Sequence, residues 1–136
     1  MRTSKQYLCG GFTSVPWTSP TILSGIASFS GWNRPDSTAF LFALTGKMQV
    51  FRPGSVENAL HHYSEHGPYF HTALALGFYD TDLRDGVCRT KSQWDSGKYN
   101  IPVDEHGNSV LTGDGQGKKD KSKTFRCEAL QVFLVE

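Results

Sequence analysis

The feature that most constrains the fold is a short apolar segment with strand periodicity, AFLFAL at residues 39–44. Successive side chains of an extended chain point to opposite faces. Phe40, Phe42 and Leu44 therefore share one face of a predicted strand, while Leu41 and the two alanines share the other. A strand that is apolar on both faces is typical of the interior of a layered sheet, so we expect both faces to be covered.

Further segments also have strand character, and turn residues separate them. The sequence predicts a hairpin formed by residues 38–44 and 47–52 around Thr45-Gly46. GGFTSVPW (residues 10–17) begins within a first strand over residues 6–13, where Gly10-Gly11 indicates a bulge or a close backbone approach. Additional strands are predicted over residues 72–79, 87–90 and 125–135. Residues 55–63 form a short helical turn or a strand, and residues 21–37 form a connection. We therefore predict a mostly β domain over residues 1–136, a two-layer antiparallel β-sandwich with one or two short helices.

Size and composition fit a single domain with an aromatic core. The chain has 136 residues and only 38% apolar residues, but nine Phe, five Tyr and three Trp are among them. The formal net charge of +1 predicts no nucleic-acid partner. No apolar run reaches the ~18 residues needed to span a bilayer, so we expect no membrane insertion. The N-terminus does not resemble a signal peptide, which favours an intracellular, cytoplasmic protein.

The three cysteines, Cys9, Cys88 and Cys127, are far apart in the sequence and form no C-x-x-C pair. Cys127 lies within an apolar strand pattern and is interpreted as a small buried side chain. A Cys88–Cys127 disulfide stays an open alternative, because sequence spacing gives no distance.

Two groups of polar residues suggest metal sites. Histidines are concentrated between positions 61 and 71, and His62-x-x-x-His66 has the spacing of helical zinc ligands. Gly67-Pro68 follows at once and helical periodicity is missing, so we interpret the segment as a polar surface turn.

The acidic corner DTDLRDG contains Asp80, Asp82 and Asp85, which resemble the start of a calcium loop. Arg84 occupies a ligand position, and the twelfth position of the loop carries no glutamate. The arginine would neutralise the carboxylates in place of a cation. We therefore predict a hydrogen-bonded corner with no bound metal, and calcium binding stays an alternative.

No assembled catalytic set is apparent. The G-x-S-x-G motif does not occur, and no cysteine has an activating motif around it. Asp104, Glu105 and His106 are adjacent, so at most some of these side chains could face one site. The lysines between positions 118 and 123 lack interleaved aromatic residues and are interpreted as a solvated loop. We expect no catalytic residues and no cofactor.

Four blocks in order resemble the TLDc domain family: GGFTSVPW, DSTAFLFALTGKMQVFRP, ALALGFYDTDLRDG and TFRCEALQVFLV. The likeness extends from Tyr7 to Val135 and includes order and spacing as well as residue type. It implies a two-sheet antiparallel sandwich without a known catalytic centre. It also implies a link to oxidative-stress resistance, or regulation of the vacuolar proton pump through one of its subunits.

The chain departs from the family pattern in three places. Only Gly77 is left of the glycine-rich segment before the acidic corner, and Gln131 replaces a residue that is often acidic. The segment before Gly10 is also short, which indicates either a truncated module or a divergent branch. A sandwich that lacks the strands of that segment would expose sheet edges or need a partner to cover them.

The leading functional hypothesis is a non-enzymatic TLDc-like module that recognises a protein partner. Its candidate interaction surface is the acidic corner together with one loop aromatic, and it consists of Asp80, Asp82, Arg84, Asp85 and Trp94. One alternative is a metal- or carbohydrate-dependent ligand-binding sandwich that uses Asp80, Asp82 and Trp94. Another is a structural protein that assembles with itself through uncovered edges. The sequence leaves the partner and the oligomeric state open.

Overall fold

Antiparallel strands make up most of the regular structure. The computed structural model describes residues 1–17, 32–62, 68–71, 73–77, 85–88, 99–114 and 123–135. In these ranges the strands are β1 (Arg2–Thr3), β2 (Cys9–Phe12), β3 (Trp32–Arg34), β4 (Phe40–Ala43), β5 (Gln49–Phe51), β6 (Leu60–His62), β7 (Tyr69–Phe70), β8 (Leu74–Leu76), β9 (Asp85–Cys88) and β10 (Lys123–Ala129). One 3₁₀ turn, Val56–Asn58, is the only helical element in the described ranges. The mostly β class predicted from the sequence is confirmed.

The strands form three antiparallel sheets. Five strands pair in the order β1-β10-β9-β8-β7, three in the order β2-β4-β5, and two as β3-β6. The 3₁₀ turn runs directly into β6, so both alternatives considered for residues 55–63 occur side by side. None of the helical structure in the described ranges is long and apolar enough to cross a bilayer.

The predicted hairpin is present as β4 and β5. These strands pair antiparallel with Leu41 opposite Phe51 and Ala43 opposite Gln49. Gly46 lies in the connecting turn with a φ of 72°, a backbone conformation that glycine adopts without steric cost. The turn chemistry read from Thr45-Gly46 therefore predicts the pairing correctly.

The two larger sheets pack face to face, and Gly11 lies where they meet. A Cβ atom at Gly11 would overlap the ring of Phe70, which belongs to β7 of the five-stranded sheet. It would also approach Leu41 to 2.9 Å. The strand β2 thus comes close to the opposite layer because it has no side chain at this position.

Gly10 faces the other way and is covered by an aromatic ring of its own sheet. Gly10 pairs with Phe42, and an added Cβ would lie 2.6 Å from the Cζ atom of that ring. The β2–β4 register is regular from Cys9 to Phe12, so a close approach and not a bulge explains the Gly-Gly pair. An aromatic ring covers the glycine backbone on each face of β2.

The core lies between these layers and extends into the segment after residue 98. Tyr99 is 1% exposed, and its hydroxyl donates a hydrogen bond to the Ala59 carbonyl at 2.8 Å, so Tyr99 anchors this segment to the core. The main buried apolar side chains are those of Cys9, Leu41, Phe51, Leu60, Phe70, Leu74, Leu76, Cys88, Tyr99, Ile101, Leu111, Phe125 and Cys127.

Two predicted boundaries are wrong. Residues 32–34 are part of β3, which pairs with β6, whereas the sequence predicts a connection over residues 21–37. The last strand ends at Ala129 and not at Val135. Its neighbour β9 begins opposite Arg126, and β1 offers only two residues, with Arg2 opposite Ala129. Among the described residues, the pairs that β10 forms end at Arg126 on the β9 side and at Ala129 on the β1 side.

Candidate interaction surface

A buried carboxylate joins the segment after β2 to the segment before β4. The Asp36 carboxylate accepts hydrogen bonds from the hydroxyl groups of Thr13 and Thr38, each at 2.6 Å, and from the Ser14 hydroxyl at 3.2 Å. It also accepts the backbone N–H groups of Ser14 and Thr38 at 3.0 and 2.8 Å. Both carboxylate oxygens are occupied, so Asp36 holds two loops together.

These hydrogen bonds determine the ionisation of Asp36. Burial disfavours the charged form, but donation from Thr13, Thr38 and Ser14 outweighs it and lowers the pKa to about 2. The group is an anion throughout the neutral range. A carboxylate with so low a pKa and no free lone pair is a poor general base, which makes its role structural.

The outward face of the three-stranded sheet is aromatic. The rings of Phe12 and Phe40 stack with centroids 5.3 Å apart, and the centroid of Phe42 lies 6.2 Å from that of Phe40. The guanidinium carbon of Arg52 lies 5.7 Å from the Phe40 centroid, within the range of a cation–π contact. One face of β4 thus carries a row of rings that contact one another.

This face is open to solvent. Leu41 is fully buried and Ala43 nearly so on the inner side, whereas Phe40 and Phe42 are only half-buried on the outer side. Val50, opposite Phe42, is 57% exposed. The expectation that both faces of the apolar strand are covered is therefore wrong, because ring-to-ring contacts replace a further layer. We call Phe12, Phe40, Phe42 and Val50 the outer aromatic face.

Two exposed side chains continue this apolar surface at the hairpin end. Leu44 follows β4 directly and is 49% exposed, and Met48 precedes β5 and is 71% exposed. Single exposed apolar residues are common, but a connected group on one sheet face indicates an interaction site. The outer aromatic face is accordingly the strongest candidate surface in the described part of the chain.

A second apolar surface follows β10. Residues 130–135 continue beyond the last strand, and Val132, Phe133, Leu134 and Val135 are 70–88% exposed. Within the described ranges, their backbone makes no hydrogen bond. We call residues 130–135 the C-terminal segment.

The predicted acidic corner is only partly described. Asp80, Asp82, Arg84 and Trp94 lie outside the described residues, and Asp85 is the first residue of β9. Asp85 is half-buried, lies opposite Arg126, and accepts the Gly77 N–H through its carbonyl at 2.8 Å. Its backbone therefore takes part in the pairing of β9, an interior strand of the five-stranded sheet. Among the described residues, no three metal-ligating side chains come together.

The histidines lie in packed positions, so the predicted polar surface turn is wrong for those that the structure describes. His61 and His62 belong to β6, and both His62 and His71 are buried. The His62 ring centroid lies 5.1 Å from that of Trp17, and the His61 centroid lies 5.7 Å from that of His71. The imidazoles act here as flat rings in an aromatic cluster. His66 lies outside the described residues.

The three cysteines are buried thiols, and no disulfide joins them. The Cys88 Sγ atom lies 3.2 Å from the Ser109 hydroxyl. Burial raises the pKa of Cys9 to about 12 and also raises that of Cys127. The interpretation of Cys127 as a buried small side chain is confirmed, and the Cys88–Cys127 bridge is not formed.

Asp104 and its neighbours form a turn. The Asp104 carboxylate accepts the backbone N–H groups of His106 and Asn108 at 2.9 and 2.8 Å, which helps to hold its pKa below the usual range. Glu105 and His106 contact each other at 3.5 Å on the exposed side. The arrangement closes a tight loop and leaves no buried acid–base pair among these three residues.

Sequence reasoning missed both Asp36 and the exposure of the outer aromatic face. An Asp two residues before a Thr at the start of a strand favours a local turn of the Asx type, which could have indicated Asp36.

Comparison of the chain with family models, with curated proteins and with solved structures finds no match.

Proposed function

We propose that this chain is a non-enzymatic, TLDc-like protein-interaction module whose partner binds the outer aromatic face. One observation carries the proposal: the half-buried rings of Phe40 and Phe42 and the exposed Val50 form a connected apolar surface on the outside of the sheet. An apolar surface of this kind, with an arginine stacked on one ring, has the composition that protein interfaces favour.

The resemblance and the geometry support each other at this surface. The residues that form it come from the two blocks with the clearest TLDc likeness, GGFTSVPW and DSTAFLFALTGKMQVFRP. Asp36 ties these blocks together through Thr13, Ser14 and Thr38. In this proposal the motif residues build and brace a binding face, and regulation of the vacuolar proton pump is the activity that the resemblance suggests.

A link to oxidative-stress resistance would then operate through the partner. Direct reaction with oxidants requires an accessible thiolate, whereas burial raises the pKa of Cys9 and of Cys127. Protection from oxidants is therefore expected to depend on the outer aromatic face and to survive replacement of the cysteines by serine.

The test measures binding of the chain to the purified peripheral sector of the vacuolar proton pump. Val50→Glu places a charge on the outer aromatic face, directly beside Phe42, and should weaken binding at least about tenfold. Val103→Glu is the matched control, because Val103 is 42% exposed in a different segment. It should change the affinity less than about twofold.

Three results would overturn the proposal. Equal binding by the wild type and by both variants would remove the outer aromatic face from the interface, and an absence of binding would remove the pump as the partner. Enzymatic turnover that co-purifies with the chain and is lost on heat denaturation would contradict the non-enzymatic role.

A further inference from the structure

The C-terminal segment is apolar and has no partner strand in the described structure. It continues directly from β10, whose last paired residue is Ala129, opposite Arg2. Leu134 is 88% exposed and Val132 is 80% exposed, which are the two largest exposures among the large apolar side chains of the described residues. A free edge with these properties favours pairing with another strand.

The sequence of this segment fits pairing with itself. LQVFLV contains no charge, no proline and no glycine, and three of its six residues, Val132, Phe133 and Val135, are β-branched or aromatic. Short segments of high β-propensity and low charge are the ones that associate as identical strands. The net charge of the whole chain is only +1, so two copies repel each other weakly.

We propose that the C-terminal segments of two copies of this chain pair antiparallel and extend the sheet from β10 across a two-fold axis. Main-chain hydrogen bonds between the two segments would give the pairing, and Val132 and Phe133 would be covered on opposite faces of the new ribbon. A two-fold arrangement uses the same surface on both copies, as closed dimers do. This inference concerns a different surface from the outer aromatic face and does not depend on the proposed function.

The experiment is sedimentation-velocity ultracentrifugation of the full chain over a wide range of concentrations, with two variants. Val132→Pro removes one backbone donor and disfavours strand pairing, while the side chain stays apolar. It changes an exposed position, so folding is not at stake. The control is Met48→Lys, which removes an exposed apolar side chain elsewhere in the chain.

The wild type and Met48→Lys are expected to sediment as dimers with the same dissociation constant, and Val132→Pro should raise that constant at least tenfold. Hydrogen exchange gives a second measurement, in which amides of residues 130–135 become protected at dimer-forming concentrations. A wild type that stays monomeric throughout, or a Val132→Pro dimer as tight as the wild type, would overturn the inference.

The outcome is separable from that of the proposed function. Val50→Glu should weaken partner binding and leave the dimer intact, whereas Val132→Pro should weaken the dimer and leave partner binding intact. Association of the monomeric wild type with lipid vesicles or with a different protein through residues 130–135 would assign the segment to another occupant and would also contradict pairing between copies.

Discussion

Gly11 and Phe70 face each other across the two layers of the fold, and a Cβ atom on Gly11 would overlap the ring. Phe70 is 5% exposed and is held on its other sides by Trp17 and Tyr99, whose ring centroids lie 5.5 and 6.2 Å away. The ring therefore has little room to move. The close contact of the two layers depends on the missing side chain at position 11.

Gly11 itself is exposed, but its added methyl group would have to displace the buried Phe70 ring. Gly11→Ala is accordingly expected to lower the free energy of unfolding by about 1–3 kcal/mol, the usual cost of overpacking. Gly10→Ala is the matched control. Its added methyl group meets only the half-buried Phe42 on the solvent side, so the change should stay within about 1 kcal/mol of the wild type. Urea unfolding of both variants measures the difference. Equal losses would contradict the two-layer contact.

Asp36 should give the protein an acid-sensitive stability. Its folded pKa of about 2 lies below the ordinary value of 3.8, so its contribution is complete above about pH 4 and is lost as the pH falls through 2. A difference of this size corresponds to about 2 kcal/mol. Asp36→Asn should remove that dependence and destabilise the protein near neutral pH.

Thermal unfolding between pH 2 and pH 7 measures the Asp36 effect. Asp104→Asn serves as the comparison, because Asp104 also accepts backbone hydrogen bonds but lies in an exposed turn, where solvent weakens them. Its effect should be the smaller one. An acid transition that is unchanged in Asp36→Asn would show that other groups determine it.

The cysteines should react slowly with thiol reagents in the folded protein. Burial and the raised pKa of Cys9 and Cys127 leave little thiolate at neutral pH, so modification should require opening of the fold. Mass spectrometry after treatment with N-ethylmaleimide should show rapid labelling only in denaturant. Met48→Cys, at a 71% exposed position, provides the fast-reacting reference. Labelling of the native wild type at the rate of that variant would refute this.

Tyr99→Phe should cost about 1–2 kcal/mol of stability, because the buried Ala59 carbonyl loses its donor. Tyr7→Phe is the control, since the described residues offer the Tyr7 hydroxyl no hydrogen-bond partner. Chemical denaturation of the two variants gives the comparison. Equal stability of Tyr99→Phe and the wild type would mean that the hydroxyl makes no net contribution.

Local patterns predict the strands of this fold better than they predict its layers. The alternation at residues 39–44 and the Thr45-Gly46 turn correctly predict the β4–β5 hairpin, because side-chain period and turn geometry are properties of a few neighbouring residues. The same alternation shows that Phe40 and Phe42 share a face. It does not show whether another layer covers that face, since this depends on where distant strands run.

The same distinction explains the other errors. Residues 125–135 have strand character throughout, but the strand ends at Ala129, where its described pairing with β1 also ends. Which residues oppose a strand depends on distant parts of the chain and not on its own pattern. His62 and His71 are polar in composition and buried in the structure because aromatic neighbours such as Trp17 surround them. Of the candidate site residues, only Asp85 falls in the described ranges, and it is the first residue of the interior strand β9.

The double glycine of β2 has a consequence for how this domain comes apart. The middle of β2 contributes bare backbone, and the groups that shield it are supplied by Phe42 from one sheet and Phe70 from another. The middle of β2 therefore stays shielded only while both rings remain packed against it. Unfolding of either sheet should release β2 and expose the remaining sheet to solvent. We therefore expect the domain to unfold in a single cooperative transition.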